Sequence, residues 1–232
     1  MNLPIGGYIP TSFLDYPGHA AAVVFFRGCP FRCPFCHNPE LILPGNGGTD
    51  LSAGEILRDL ERRRPFLDGV CVTGGEPSAS EGLLGFLESV RSLDLLVKLD
   101  TNGWRPEILS EALGRGIVNY LAMDVKAPWE KYSLASGWKG DLSRLRESVS
   151  ILLESPAPSE FRTTLVPGIH ESSDAPLLGS MVRGARLHVL QNFRPGITLD
   201  PRLASGKPFP SPFLEAFRKD LLPFVRNVEI RQ

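Results

Sequence analysis

The pattern of the chain predicts an α/β fold, a partial (β/α)6 TIM-like barrel with parallel strands and an active site at the C-terminal strand ends. Three observations predict it. Apolar runs of strand length alternate with helix-period segments about six times. Polar or glycine-rich motifs follow the strand-like runs, as they do where a parallel barrel builds its site. The 232 residues fall short of the ~250 typical of eight full units. No repeat, low-complexity tract or linker divides the sequence, so residues 1–232 are expected as a single domain.

The elements follow in order. Ala20 to Phe26 is an unbroken apolar run that reads as a buried strand. Ser52 and Glu55 form the two ends of a capping box, and Ala53, Ile56, Leu57 and Leu60 continue at helical spacing. Gly69 to Val72 is a strand, Glu81 to Arg91 a helix, and Leu95 to Leu99 a strand. Pro106 to Leu113 is a helix that starts on a proline, followed by a strand over Val118 to Met123. After an irregular stretch, Asp141 to Leu153 is helical, with Leu142, Leu145, Val149 and Leu152 on one face. Phe161 to Val166 and Leu187 to Leu190 are strands around a helix at Asp174 to Arg183. A helix near Pro212 to Leu222 and a strand at Val228 to Ile230 complete the chain.

Composition excludes some functions. A net charge of −1 provides no broad basic footprint, so no nucleic-acid partner is expected. No apolar run approaches the ~20 residues of a membrane span, so no membrane partner is expected. Met1 to Tyr8 lacks a basic region followed by an apolar run, which points to a cytoplasmic protein.

Three of the four cysteines, Cys29, Cys33 and Cys36, sit within eight residues in the spacing C-x3-C-x2-C. Pro30, Pro34 and Pro39 interrupt the segment, so it reads as a loop wrapped around something. Three thiolates can hold three irons of a [4Fe–4S] cluster and leave the fourth open for a small molecule. Three cysteines cannot all pair as disulfides among themselves. Zinc needs a fourth ligand, and His37 adjoins Cys36 too closely to take another tetrahedral corner easily. Iron–sulfur, zinc and neither stay open on spacing alone. Cys71 lies in an apolar strand and reads as a small core residue.

Other candidates stand at strand ends. Gly74 and Gly75 allow a close approach to the backbone, and Glu76 beside them can accept from an amino group; a tight turn is the plainer reading. Asp100 and Asn102 flank Thr101 and suit sugar hydroxyls or an Asx turn. Asp124 and Lys126 share a side, as a ligand clamp or an ion pair. Arg162 lies inside a strand, so its charge must reach solvent, a partner or a ligand. Phe35 is a stacking surface or plain packing.

Together these residues resemble the radical S-adenosylmethionine superfamily, and within it the activating enzymes of glycyl radical proteins. The likeness is carried by Cys29-x3-Cys33-x-Phe35-Cys36 with His37-Asn38-Pro39-Glu40 after it. It extends to Thr73-Gly74-Gly75-Glu76-Pro77, Asp100-Thr101-Asn102-Gly103 and Asp124-Val125-Lys126. Thr11 to Gly18 and Val166-Pro167-Gly168 match as well, and the reductase-activating branch is most similar.

The resemblance implies a [4Fe–4S] cluster on Cys29, Cys33 and Cys36, with S-adenosylmethionine on the open iron. It implies that Gly74, Gly75 and Glu76 face the methionine amino group and Lys126 its carboxylate. The backbone from Phe35 to His37 would meet the adenine. Asp100, Thr101, the Ala122 carbonyl and Asp124 resemble a monovalent-cation site. The implied reaction takes one electron from a donor such as flavodoxin or ferredoxin and yields methionine and a 5′-deoxyadenosyl radical. That radical removes hydrogen from a glycine of a partner protein in trans, an anaerobic ribonucleotide reductase. A small-molecule or tRNA-modifying member and a non-catalytic metal-binding module are the alternatives. Where pyruvate formate-lyase activase has a histidine near the ribose, this chain has Phe193. Trp129, Tyr132 and Trp138, within the irregular segment Pro128 to Lys139, are read either as docking anchors for the partner or as packing.

Overall fold

The computed structural model describes residues 3–42 and 52–231. The chain divides into two compact units. The first comprises Met1–Pro30, Glu40–Ala122 and Ser155–Pro158, the second Phe31–Pro39, Met123–Glu154 and Ser159–Gln232.

In the first unit, β1 (Ile5–Ser12) lies antiparallel to β2 (Ala21–Phe26), which runs parallel to β3 (Gly69–Gly74), itself parallel to β4 (Leu96–Thr101). Helices α1 (Pro39–Ile42), α2 (Ala53–Arg63), α3 (Leu83–Arg91) and α4 (Pro106–Gly114) fall between and after these strands, and β5 (Tyr120–Asp124) follows. Burial on both faces explains the unbroken apolar sequence of β2, whose Ala21, Val23, Val24 and Phe26 are sealed from solvent. The capping box forms as expected: the Glu55 backbone N–H donates to Ser52 Oγ at 3.3 Å, and the Ser52 N–H to Glu55 Oε2 at 2.7 Å. Ala53, Ile56 and Leu60 of α2 are buried in consequence of that start.

The second unit begins its regular structure with the short α5 (Tyr132–Ser136) and α6 (Ser143–Glu154). Then come β6 (Ser159–Leu165), α7 (Asp174–Met181), β7 (His188–Asn192), α8 (Ser211–Leu221) and β8 (Val228–Arg231), the three strands parallel in that order. Phe161, Leu165, Val189, Leu190, Phe217 and Leu221 form much of its core.

The alternation of parallel strands and helices stands as expected, with element ends shifted by a residue or two. Two corrections apply. Strand β1 was not foreseen, because Gly6, Gly7 and Pro10 weaken any strand signal; an edge position tolerates all three. The segment Pro128 to Lys139 is not irregular throughout: it holds a 3-10 turn at Trp129–Lys131 and α5, which ends on Gly137 at φ 68°. A Cβ on Gly137 would come within 2.7 Å of the Arg32 carbonyl oxygen. No helix of the described residues is long and apolar enough to cross a membrane.

Candidate active site

Parallel register brings the C-terminal ends of β2, β3 and β4 to the same end of the first unit. Phe26 stands beside Gly74. The Gly75 N–H donates to the Phe26 carbonyl at 2.8 Å and the Glu76 N–H to the Gly28 carbonyl at 2.7 Å. This stitches the glycine pair to the residues that lead into Cys29. A Cβ on Gly75 would collide with the Gly28 carbonyl oxygen, and one on Gly74, at φ 121°, with the Phe26 backbone. The close approach that these glycines permit is therefore that of the chain's own backbone. Of the two readings open from the sequence, ligand approach and tight turn, these contacts account for the turn.

Glu76 is 1% exposed. Its Oε1 accepts from the Ser78 N–H at 3.0 Å, from Ser78 Oγ at 2.5 Å and from Thr101 Oγ1 at 2.8 Å; Oε2 accepts from the Asn102 N–H at 2.6 Å. Glu76 thus ties the end of β3 to the end of β4. Burial pushes its carboxyl up, and these neutral donors only partly oppose that. Thr101 also accepts from the Gly103 N–H at 3.0 Å, and Asn102 Nδ2 donates towards Cys29 Sγ at 3.6 Å. Ser78, part of this brace, was not singled out in the sequence; a Glu-Pro-Ser turn after a strand was its only signal.

Asp100 pairs with Lys98, which is almost fully buried, and Lys98 Nζ also lies 3.7 Å from Cys71 Sγ. The positive charge beside Asp100 is therefore a lysine of the chain itself. Cys71 is wholly buried, in keeping with its reading as a core residue.

In the second unit, β5 ends at Asp124. Its Oδ2 accepts from Lys126 Nζ at 2.8 Å, and its Oδ1 from Arg162 Nε at 2.8 Å. Burial would raise the Asp124 carboxyl, but the Arg162 and Lys126 charges overcome it and hold it well below the usual carboxylate range. Burial likewise works against the Lys126 charge, and Asp124 more than compensates. The backbone between them is pinned as well. The Val125 N–H donates to the Arg162 carbonyl at 2.8 Å, and Thr163 Oγ1 donates to the Val125 carbonyl at 2.7 Å. His170 Nδ1 accepts from the Val166 N–H at 3.0 Å, so Nε2 carries the proton and donates to the Lys126 carbonyl at 2.9 Å. Thr163 and His170 were missed; the Val-Pro-Gly motif just before His170 was their nearest signal. Lys126 is thus held in place from its carboxylate partner and from its backbone at once.

The second half of the cysteine loop also belongs to this unit. The Arg32 N–H donates to the Ser136 carbonyl at 2.8 Å, and Cys33 Sγ lies 3.9 Å from the same oxygen. The Leu199 N–H donates to the Cys36 carbonyl at 3.1 Å and the Asp200 N–H to the Pro34 carbonyl at 2.9 Å. The Phe35 side chain is buried, in keeping with its reading as packing. His37 donates from Nδ1 to the Ile197 carbonyl at 3.1 Å, and its ring stacks on Phe193 with centroids 6.1 Å apart. Phe193 is 1% exposed and packs as a core residue. Of the three aromatics considered as docking anchors, Tyr132 is fully buried, which corrects that reading for this residue.

The donor set suits a thiolate-held cluster. None of the four cysteines is in a disulfide. Burial pushes the Cys33 thiol up to about 11, with Lys126 working in the opposite direction, so it is protonated at neutral pH until a metal displaces the proton. Asn102 supplies an amide donor towards Cys29, the kind of hydrogen bond that tunes cluster sulfurs.

Comparison with known proteins agrees with this chemistry. The Radical SAM superfamily model matches residues 23–177. A Methanocaldococcus jannaschii protein, provisionally named a glycyl-radical enzyme activating enzyme, is 28% identical over 239 aligned residues that cover 100% of this chain and 97% of that protein. The pyruvate formate-lyase-activating enzyme of Clostridium pasteurianum is 38% identical over 96 residues, 39% of this chain and 40% of that enzyme. Among solved structures, Streptococcus suis SuiB bound to precursor peptide SuiA superposes with a TM-score of 0.66 at 14% identity, over 88% of this chain and 46% of SuiB. The chain thus spans about half of that structure, and the likeness is one of fold, the partial barrel of such enzymes. The zinc and non-catalytic readings are set aside. The chain belongs to the radical S-adenosylmethionine superfamily, enzymes that work with a [4Fe–4S] cluster and S-adenosylmethionine.

Proposed function

We propose that this chain is a glycyl-radical-enzyme activase, working in the cytoplasm as one catalytic domain over residues 1–232, with an anaerobic ribonucleotide reductase as its partner. One observation carries the reading: the archaeal relative named for that activity aligns with all of this chain. The reductase is favoured over other glycyl radical proteins by the sequence motifs around the cysteines.

In this reading Cys29, Cys33 and Cys36 hold the cluster. Lys126 binds the methionine carboxylate of S-adenosylmethionine, and Asp124 and Arg162 hold its ammonium in position. Gly74 and Gly75 fix the backbone before Cys29, and Glu76 braces the strand ends next to the amino group. The backbone from Phe35 to His37 meets the adenine. Asp100 and Asn102 complete the set, with Asn102 towards Cys29 and Asp100 balanced by Lys98. When bound, cluster and cofactor supply a one-electron cleavage of the sulfonium and, through it, removal of hydrogen from a glycine of the partner. A flavodoxin or ferredoxin supplies the electron.

The test is anaerobic mixing of the reconstituted, reduced enzyme and S-adenosylmethionine with the host's glycyl radical proteins. A doublet in the electron paramagnetic resonance spectrum of the ribonucleotide reductase is expected. Formation of 5′-deoxyadenosine with no doublet on any partner would move the substrate to a small molecule or tRNA.

A further inference from the structure

Strand β7 opens on His188, which is wholly buried, as are Val189 and Leu190 after it. Its ring Nε2 lies 2.9 Å from Thr163 Oγ1 on the neighbouring strand β6. Thr163 Oγ1 is in turn 2.7 Å from the Val125 carbonyl oxygen. A hydroxyl has one proton, and a carbonyl can only accept. Thr163 therefore gives its proton to Val125 and accepts one from His188. That fixes the tautomer: Nε2 carries the hydrogen and Nδ1 is bare. Burial pushes the imidazolium down to about 3, so the ring is neutral at physiological pH.

Stability does not explain this histidine. Nδ1 is buried and makes no hydrogen bond among the described residues. A buried acceptor left unpaired costs as much as one neutral hydrogen bond contributes, or more. An apolar side chain of the same size would fill the space without that cost. What the ring achieves is positional. The Val125 carbonyl belongs to the peptide that leads into Lys126, and the Val125 N–H donates to the Arg162 carbonyl at 2.8 Å. The carbonyl of Lys126 itself accepts from His170 Nε2 at 2.9 Å. Both carbonyls that flank the Lys126 Cα thus end on an imidazole N–H, directly from His170 and through the Thr163 hydroxyl from His188. The relay strengthens the second bond, because a hydroxyl that accepts a hydrogen bond donates its own more strongly.

We propose that His188 is a positioning residue, which acts through Thr163 on the Val125–Lys126 peptide and so sets where the Lys126 ammonium meets the cofactor. This rests on the reading of Lys126 as the group that binds the methionine carboxylate.

His188→Met removes the donor at nearly the same volume, whereas His188→Gln keeps an amide N–H at the reach of Nε2. In the iron-free protein His188→Met should melt at the same temperature as wild type or higher. In the reconstituted protein its iron content should be unchanged, and S-adenosylmethionine should bind about 3- to 10-fold more weakly in an equilibrium titration, the loss of roughly one neutral hydrogen bond. His188→Gln should recover the affinity. In a Thr163→Val background, where the relay is already cut, His188→Met should weaken binding no further. Wild-type affinity in His188→Met overturns the proposal. So does an equal loss in His188→Gln, which makes the ring a packing element, or a loss of iron along with affinity, which makes it a support for the whole site. An undiminished effect in the Thr163→Val background overturns it too. If His188→Met does not fold, Thr163→Val alone decides: weaker binding at full iron content is expected, and unchanged binding contradicts the relay. Nitrogen NMR of the iron-free wild type should show a neutral His188 ring protonated at Nε2, and an Nδ1–H tautomer overturns the chain of donors. Lys126→Met with wild-type affinity overturns the reading of Lys126 and the positioning role with it; a Lys126-dependent protein beside an indifferent His188→Met overturns the positioning role alone.

Discussion

Glu76 and Asp124 are both acidic residues at the C-terminal end of a strand, and the structure treats them in opposite ways. Glu76 is 1% exposed, and its acceptor atoms meet two backbone N–H groups and two hydroxyls. Burial prevails and raises its carboxyl. The side chain of Asp124 keeps 29% exposure and meets two cations, Lys126 and Arg162, which carry its carboxyl below the usual range against the effect of burial. One carboxyl acts as a brace between backbones, the other as the anion that fixes a lysine. The difference teaches that a shared motif position does not imply a shared electrostatic role.

The largest expected effect comes from removing the anion. Asp124→Asn leaves Lys126 and Arg162 facing each other without a counter-charge, a change of about 3 kcal/mol in stability. It should also weaken S-adenosylmethionine binding in an equilibrium titration, since Lys126 is no longer held. A loss within experimental error of zero in urea denaturation would reduce the trio to an ordinary surface pair.

Gly75→Ala comes next. The added methyl meets the Gly28 carbonyl, and overpacking of this kind costs about 1–3 kcal/mol. The strain falls on the backbone that leads into Cys29, so iron uptake should fall along with cofactor binding. Intact iron content with weaker cofactor binding alone would mean that the ligand, not Gly28, occupies the space.

Glu76→Gln tests the brace. The amide must turn a donor towards either the Asn102 N–H or the Ser78 and Thr101 cluster, which costs about 1–2 kcal/mol in thermal denaturation. A neutral result would show that the strand ends hold together without it.

The smallest effect is on pH dependence, and there the two carboxyls separate by sign. The folded chain binds Asp124's proton less readily than the unfolded chain. Its contribution is therefore present above about pH 4 and lost as the pH falls through the lower folded value. Glu76 has a raised folded value, so its contribution declines as the pH rises above about 4.5. Stability measured across this range should lose its acid-side rise in Asp124→Asn and its decline above about pH 4.5 in Glu76→Gln. Identical profiles in the two variants would erase the contrast.

Much of this could be read from the sequence, and the reasons differ by element. Strands β2 and β3 are buried on both faces, so their apolar runs are plain. Helix α2 announces itself by Ser52 and Glu55. The cysteine spacing and the strand-end motifs are local in sequence and needed no fold to be seen. Contacts distant in sequence were not legible: Glu76 with Thr101 and Asn102, Asp124 with Arg162, and His170 with Lys126. Nothing local distinguishes a glycine that admits a ligand from Gly75, which admits the carbonyl of Gly28. Phe193 stacked on His37 is another product of distance along the chain.

The central claim is that a glycine of a partner protein loses its hydrogen to this enzyme's cofactor. The direct measurement uses anaerobic ribonucleotide reductase labelled with α-deuterated glycine, mixed with the reduced enzyme and S-adenosylmethionine. The account predicts deuterium in the 5′-deoxyadenosine by mass spectrometry, and a glycyl signal collapsed from a doublet to a singlet. Unlabelled 5′-deoxyadenosine and no radical on the reductase would contradict it.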